Sequence, residues 1–418
     1  MLVQLRKRKH LSKETISIID TEREFEYFIE FILDEEIIAI DLESDMNKRY
    51  GHNISLIQIG TKNYQYLIDV QQISTNRIIE LFENRKITKI FFDGIQDIQM
   101  LKEFYHCEIN SVYDVSDIYN FIFPSNQRKG LDFLIEEFFH LKISKALQRC
   151  DWSIRPLSKE MQEYAAADVR YLIDIKQILD RELEKKEWSE YLENYFDSFS
   201  LIKPVSPLIE ESFRFLLIPK VRELGKLEKF IAKRLIDWRS RWAEKKNRPV
   251  FYILSNQSIP IISVEKPVTE KQILLLKLPE LRKSYKKNYR IEIAKIIIQT
   301  ISDFEKNPQD YVQEVEIFEK TLKLVGRKNL HLVKDDISLD LEIDISKFKK
   351  CRKKLTTLRS EIAISLKCPN DLILSKRSIE ELAKRKFKSV EEIYSIPGIS
   401  RSIMTPFEKD ISKILDFE

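Results

Sequence analysis

Cysteine is scarce and scattered. The four residues, Cys107, Cys150, Cys351 and Cys368, include no C-x-x-C pair. That excludes a zinc site or a disulfide frame and points to reduced thiols, hence to a cytoplasmic protein. No apolar run approaches the length of a membrane span, and the opening MLVQLRKRKHLSK has no apolar signal core. Glycine counts only seven, and no G-x-x-x-x-G-K-[ST] phosphate loop occurs, which excludes a helicase motor. Low-complexity tracts are absent too. What is present is the composition of a folded protein, 43% hydrophobic and 33% charged over 418 residues. That length allows two or three domains with substantial cores.

The net charge of +4 hides an asymmetry. Residues 211–300 hold 21 Lys/Arg against 9 Asp/Glu, so the remainder of the chain is net acidic. An acidic part joined to a basic part suits a polyanionic substrate, one region chelating metal and another holding phosphates. Solvated lysine faces are the common alternative.

Among the acidic residues, the stretch IIAIDLES at 37–44 stands out. Its β-branched run reads as a buried strand, and alternation turns Asp41 and Glu43 to one face. Neighbouring carboxylates repel unless a cation lies between them, and a divalent ion is the usual one. A strand edge with two solvated acids would look the same. Two further acidic elements alter that balance. FFDGIQDIQML places Asp97 at the start of a helical pattern, and QEYAAADVRYL places Tyr164 and Asp168 four apart on one helix face.

In these motifs the chain resembles ribonuclease D and the wider DEDD group of 3′–5′ exonucleases. Their motifs are D-x-E, an Asp opening a helix, and Y-x-x-x-D. SLIQIG after the first motif and DWSIRPLS before the third strengthen the likeness. Two departures are Cys150, where the family commonly has serine, and Phe92, where relatives often have histidine; neither touches the four acids. The resemblance implies a ribonuclease H-like α/β domain with a mixed sheet. It also implies two ions, Mg²⁺ or Mn²⁺, held by Asp41, Glu43, Asp97 and Asp168. Oxygen ligands without His or Cys suit those metals better than zinc. By the same resemblance Asp41 bridges both ions, Glu43 and Asp168 complete the site of the attacking water, and Asp97 supports the leaving-group side. Tyr164, a poor unaided base, is expected to orient the water; a tyrosine packed in the core is the alternative.

The organisation expected is an exonuclease domain over 1–200, with a strand-poor lead-in at 1–20 and a linker around 196–210. LIDWRSRWAEKKNRPVFYIL resembles the helicase-and-ribonuclease-D C-terminal (HRDC) module, a small helical bundle assigned to 210–302. A charged connection follows at 303–344, then a second, degenerate copy at 345–418 whose tryptophan is missing. Candidate nucleic-acid contacts are Lys145, Arg149 and Arg155, which could instead pair with Asp151 or Glu160. Lys283, Lys286 and Lys287, in LRKSYKKNYR, interleave with tyrosines as a phosphate-and-stacking surface would, or form a solvated lysine face. Trp238 and Trp242 are expected to pack in the bundle. IPGIS at 396–400 resembles the phosphate-binding turn of a helix–hairpin–helix.

The function implied is hydrolysis from RNA 3′ ends, releasing nucleoside 5′-monophosphates, with tRNA precursors as substrate and no membrane partner. A DNA-directed exonuclease and a non-catalytic nucleic-acid-binding scaffold are the alternatives.

Overall fold

The structure, a computed structural model, describes residues 15–44, 54–125, 127–148, 150–204, 215–216, 218–307 and 345–415. These residues group into two compact units. One unit contains the sheet, its flanking helices and the C-terminal helical domain from Lys347; the other is the helical domain between.

The sheet is mixed, in the order β1-β4-β3-β2-β5-β6. Its strands are β1 (Thr15–Ile19), β2 (Ile37–Ser44), β3 (Ile54–Gly60), β4 (Tyr64–Ile68), β5 (Thr88–Phe91) and β6 (Val112–Asp114). β1 runs parallel to β4, and β2 runs antiparallel to β3 but parallel to β5. The segment at 1–20 expected to be strand-poor therefore contributes an edge strand. TISII is short but rich in β-branched residues, and β4 offers it a free edge. In α1 (Glu22–Ile32), Thr21 Oγ1 accepts from the Glu24 amide and donates to the Glu24 carboxylate.

Six further helices follow in this part, beginning with α2 (Ile78–Glu83), α3 (Ile95–Tyr105) and α4 (Val115–Ile122). They continue with α5 (Leu131–Phe139), α6 (Lys159–Arg170) and α7 (Leu172–Glu184). α6 packs on β2, β3 and β4 over a small apolar cluster of Leu56, Leu67, Trp152, Leu157, Met161 and Ala165. Its approach is close enough to need a glycine: a Cβ on Gly60 would lie 2.9 Å from the Val169 carbonyl oxygen. The segment at 196–210 is not a linker throughout. α8 (Ser189–Asp197) and a 3₁₀ turn at Ser198–Leu201 occupy its start, with Phe199 buried in the main core. Its aromatic residues outweigh its turn-forming ones.

The two helical domains repeat one skeleton displaced by 120 residues, from Arg239 to Arg359. Arg239 Nη1 donates to the Leu254 carbonyl and Arg359 Nη1 to that of Leu374, each at 3.0 Å. The hydroxyl pairs Ser255–Ser258 and Ser375–Ser378 repeat at 3.0 and 2.9 Å. The arginine sits in each on a long helix, Lys226–Lys246 in the first and Ile345–Leu366 in the second. Most of the charged connection at 303–344 lies outside the described residues. The IPGIS turn does not present an open phosphate cradle. A Cβ on Gly398, at φ +78°, would meet Ser198 Cβ at 2.6 Å and the Asn194 carbonyl at 2.7 Å. Among the described residues no helix is long and apolar enough to cross a membrane.

Gly60→Ala should destabilise the sheet domain by about 1–3 kcal/mol, because α6 must move off β3. Chemical denaturation of both proteins measures this; equal midpoints would show that the contact yields freely.

Candidate active site

β2 changes character half-way along. Ile38, Ala39 and Ile40 are buried, whereas Asp41 and Glu43 share the face that α6 covers. Ser158 caps α6 by accepting from the Met161 amide, and the helix brings Tyr164 and Asp168 to the acids of β2. Asp41, Glu43 and Asp168 each offer a carboxylate oxygen, all within 4.8 Å of one another. Asp97 stands in the first turn of α3, outside that trio but close enough to act on Glu43 and to feel Asp41.

Burial dominates the electrostatics. It pushes the Asp41 carboxyl up to about 7, against a hydrogen bond from the Leu42 amide that favours the anion. Burial followed by Asp41 raises Asp168 to about 8. Glu43 rises to about 10 through burial and then Asp41, Asp168 and Asp97. Asp97 is raised well above the usual carboxylate range by burial, then by Asp41, Asp114 and Asp93. The charges acting on Glu43 and Asp97 are all carboxylates, so a cation is what this site lacks electrostatically. An oxygen-only set converging within 4.8 Å fits a hard divalent ion.

The Tyr164 ring lies 5.9 Å from that of Trp152. Its phenol is held above the usual tyrosine range by burial, then by Asp168, Glu43 and Asp41. It is therefore a hydrogen-bond donor at neutral pH, not a base. The loop before α6 is pinned by Arg155. Its guanidinium pairs with both oxygens of Asp69 and donates to the carbonyls of Trp152 at 2.7 Å and Ser55 at 2.9 Å. It thus has an acidic partner, though neither Asp151 nor Glu160. Lys145 pairs with Asp132 at 2.7 Å, and Arg149 lies outside the described residues.

In the first helical domain, Lys286 Nζ sits 4.1 Å over the Tyr289 ring, itself 4.7 Å from Trp242. Burial, then Lys246 and Lys283, lower the Lys286 ammonium. Lys245 and Lys246 lie over Trp242 at 5.1 and 5.8 Å. Lys287 is exposed at the start of the helix Lys287–Lys306. Trp238 is buried as expected and Trp242 only partly so; both indoles donate to Glu292 at 2.6 Å.

Sequence reasoning missed Gln58 and Asp114. Gln58 is the cross-strand partner of Asp41, fully buried, and neither end of its amide has a hydrogen-bond partner. Paired residues share a face, so this amide borders the acids. A lone amide within the apolar run SLIQIG was the available signal. Asp114 closes β6 and caps α4, accepting from the Asp117 amide at 3.1 Å and the Gly94 amide at 2.8 Å. An Asp between a strand and a helix reads only as a cap.

Without metal, the folded protein keeps protons that unfolded carboxylates release near about pH 4. What these carboxylates contribute to stability is therefore greatest on the acid side. It falls as pH rises through about 7 for Asp41, 8 for Asp168 and 10 for Glu43. In EDTA the melting temperature should drop from about pH 6 to about pH 9, and Mg²⁺ or Mn²⁺ should raise it more at the higher pH. A melting temperature that climbs across that interval in EDTA would contradict this electrostatic picture.

Comparison with known proteins places these elements in context. The 3′–5′ exonuclease family matches residues 16–184, and the HRDC domain family matches twice, at 228–297 and 348–415. The exosome complex exonuclease RRP6 of Saccharomyces cerevisiae is 28% identical over 271 residues, which is 60% of this chain but only 36% of that protein. Ribonuclease D of Bartonella henselae is 25% identical over 293 residues, 69% of each chain. The crystal structure of Escherichia coli RNase D shares the fold, with a TM-score of 0.61 at 19% identity, over 96% of this chain and 99% of that one. This chain thus joins a mixed-sheet domain that matches the 3′–5′ exonuclease family to two segments that match the HRDC domain family, and it is similar to ribonuclease D proteins over most of its length.

Proposed function

We propose that this protein is a metal-dependent 3′–5′ exoribonuclease that trims RNA 3′ ends and releases nucleoside 5′-monophosphates. The observation that carries the reading is the convergence of Asp41, Glu43 and Asp168 within 4.8 Å, half-buried and with only carboxylates among the charges that act on Glu43. Asp41, Glu43 and Asp168 would hold one divalent ion, and Asp41 with Asp97 a second. Ions there would supply charge neutralisation at the scissile phosphate and acidify the attacking water.

The chain's own side chains do the rest. Tyr164, protonated and beside Asp168 and Glu43, donates a hydrogen bond that orients the attacking water. Trp152 and the loop tied down by Arg155 and Asp69 support that phenol from behind. Lysines around Trp242 and Tyr289 in the first HRDC domain are suited to phosphates and stacked bases. The name of the ribonuclease D relatives favours RNA over DNA, and that likeness suggests tRNA precursors as the substrate class.

Asp41→Asn should lower hydrolysis at least about a hundredfold while RNA binding persists, because it weakens both proposed metal positions. Tyr164→Phe should cost about ten- to a hundredfold through misorientation alone. Single-turnover assays check both, and near-normal turnover by Asp41→Asn would refute the mechanism. A tRNA with a 3′ extension should be shortened stepwise with Mg²⁺ or Mn²⁺ and left intact in EDTA, while a matched single-stranded DNA is spared. Equal DNA shortening would make this a DNA-directed enzyme; binding without cleavage of either would make it a scaffold.

A further inference from the structure

The two HRDC copies share a skeleton but not a surface. Trp238 and Trp242 of the first correspond, across the 120-residue displacement, to Leu358 and Ile362 of the second, which are buried. The second copy thus lacks a counterpart of Trp242, the ring over which Lys245 and Lys246 of the first lie. It also packs with the exonuclease domain in one compact unit.

The packing centres on α8 and the turn Ser198–Leu201. The Arg377 guanidinium lies 4.1 Å over the Phe199 ring and 5.4 Å from the Tyr195 ring, and Arg377 Nε donates to Ser198 Oγ at 3.3 Å. Gly398 abuts Ser198 and Asn194, with no room for a Cβ. Leu372, from the same helical domain, is buried within the main exonuclease core.

From this contact a continuous set of hydrogen bonds leads to the second motif. The Tyr195 hydroxyl donates to Asp117 Oδ2 at 2.6 Å. Asp117 Oδ1 takes Arg128, whose guanidinium also pairs with Asp93. The Asp117 amide donates to Asp114 Oδ1 at 3.1 Å, and the two Asp114 oxygens accept from the Asp93 amide at 3.3 Å and the Gly94 amide at 2.8 Å. Asp93 is in the left-handed region at φ 55°, a conformation that needs holding, and Gly94 caps α3, whose first turn carries Asp97. The other end of α3 is tied to the same place. The buried Lys102 ammonium donates to the Ser200 carbonyl at 3.0 Å and pairs with Glu108 at 2.6 Å.

We infer that the second HRDC domain is a brace for the Asp97 carboxylate and not a second nucleic-acid arm, with Arg377 and Tyr195 as positioning residues for the reaction. The inference rests on the proposed role of Asp97 in metal-dependent hydrolysis. Groups that orient a metal's ligands characteristically cost about ten- to a hundredfold in metal affinity or activity when removed.

The test uses the full chain and a five-nucleotide RNA. Mn²⁺ uptake by metal-free enzyme is read by electron paramagnetic resonance, and kcat and KM are measured separately. Arg377→Ala and Tyr195→Phe should each weaken Mn²⁺ uptake about tenfold and lower kcat similarly, with KM unchanged. Arg377→Lys, which keeps a cation over the rings, should restore most of both. The double variant should lose little more than either single one, because both act through one network. Should Arg377→Ala melt below the assay temperature, Tyr195→Phe, which retains the packed ring, decides the matter.

Unchanged Mn²⁺ uptake and kcat in Tyr195→Phe and Arg377→Ala would overturn the brace, as would a loss confined to KM on long RNA. If those variants behave as wild type while Asp41→Asn loses Mn²⁺, the brace alone fails. A wild-type enzyme that takes up no Mn²⁺ would defeat the hydrolase reading and the brace with it.

Discussion

Four carboxylates are gathered on and beside one face of a buried sheet, and a helix is laid over them. Their mutual repulsion and lost hydration push their protonation far from the ordinary carboxylate range. Nothing in a folding chain gathers such charges for stability's sake. The surrounding structure, with Ser158 capping α6, Arg155 locked on Asp69 and Asp114 gripping the turn before α3, holds together groups that would otherwise separate or stay solvated. The acids are affordable because their environment is over-determined.

The site's acids were legible because their spacing is local. Asp41 and Glu43 alternate on a strand, and Tyr164 and Asp168 are four apart on a helix, so each pair's shared face follows from backbone geometry. What holds them was not legible, because its partners are far apart in sequence. Arg155 meets an acid 86 positions away, and nothing near it predicts Asp69 over Asp151 or Glu160. Gln58 escaped notice because its meaning lies in a strand register that places it opposite Asp41.

The same distinction governs the fold. The strands and helices between residues 37 and 184 follow from periodicity, whereas the edge strand Thr15–Ile19 depends on β4 for its partner. Prolines and serines around 196–210 outweighed Phe196 and Phe199 in the reading as a linker, yet those rings enter the core and end the exonuclease part in a helical turn. The second HRDC copy was visible as an echo of the first, but its attachment to α8 was not, since IPGIS reads the same whether it faces solvent or a helix.

The contact between Gly60 and Val169 carries a consequence for how this protein can change. Across most of a core, the distance between a helix and a sheet is set by the side chains between them, so each substitution alters it. Here α6 rests on β3 with no side chain intervening on the strand, and one residue along the helix stands Asp168. The separation of the third-motif carboxylate from those of β2 is thereby gauged by the strand's bare main chain against the carbonyl and side chain of Val169. Such a site keeps its calibration while the apolar residues around it drift, as an instrument does when its spacer is metal and its padding is not.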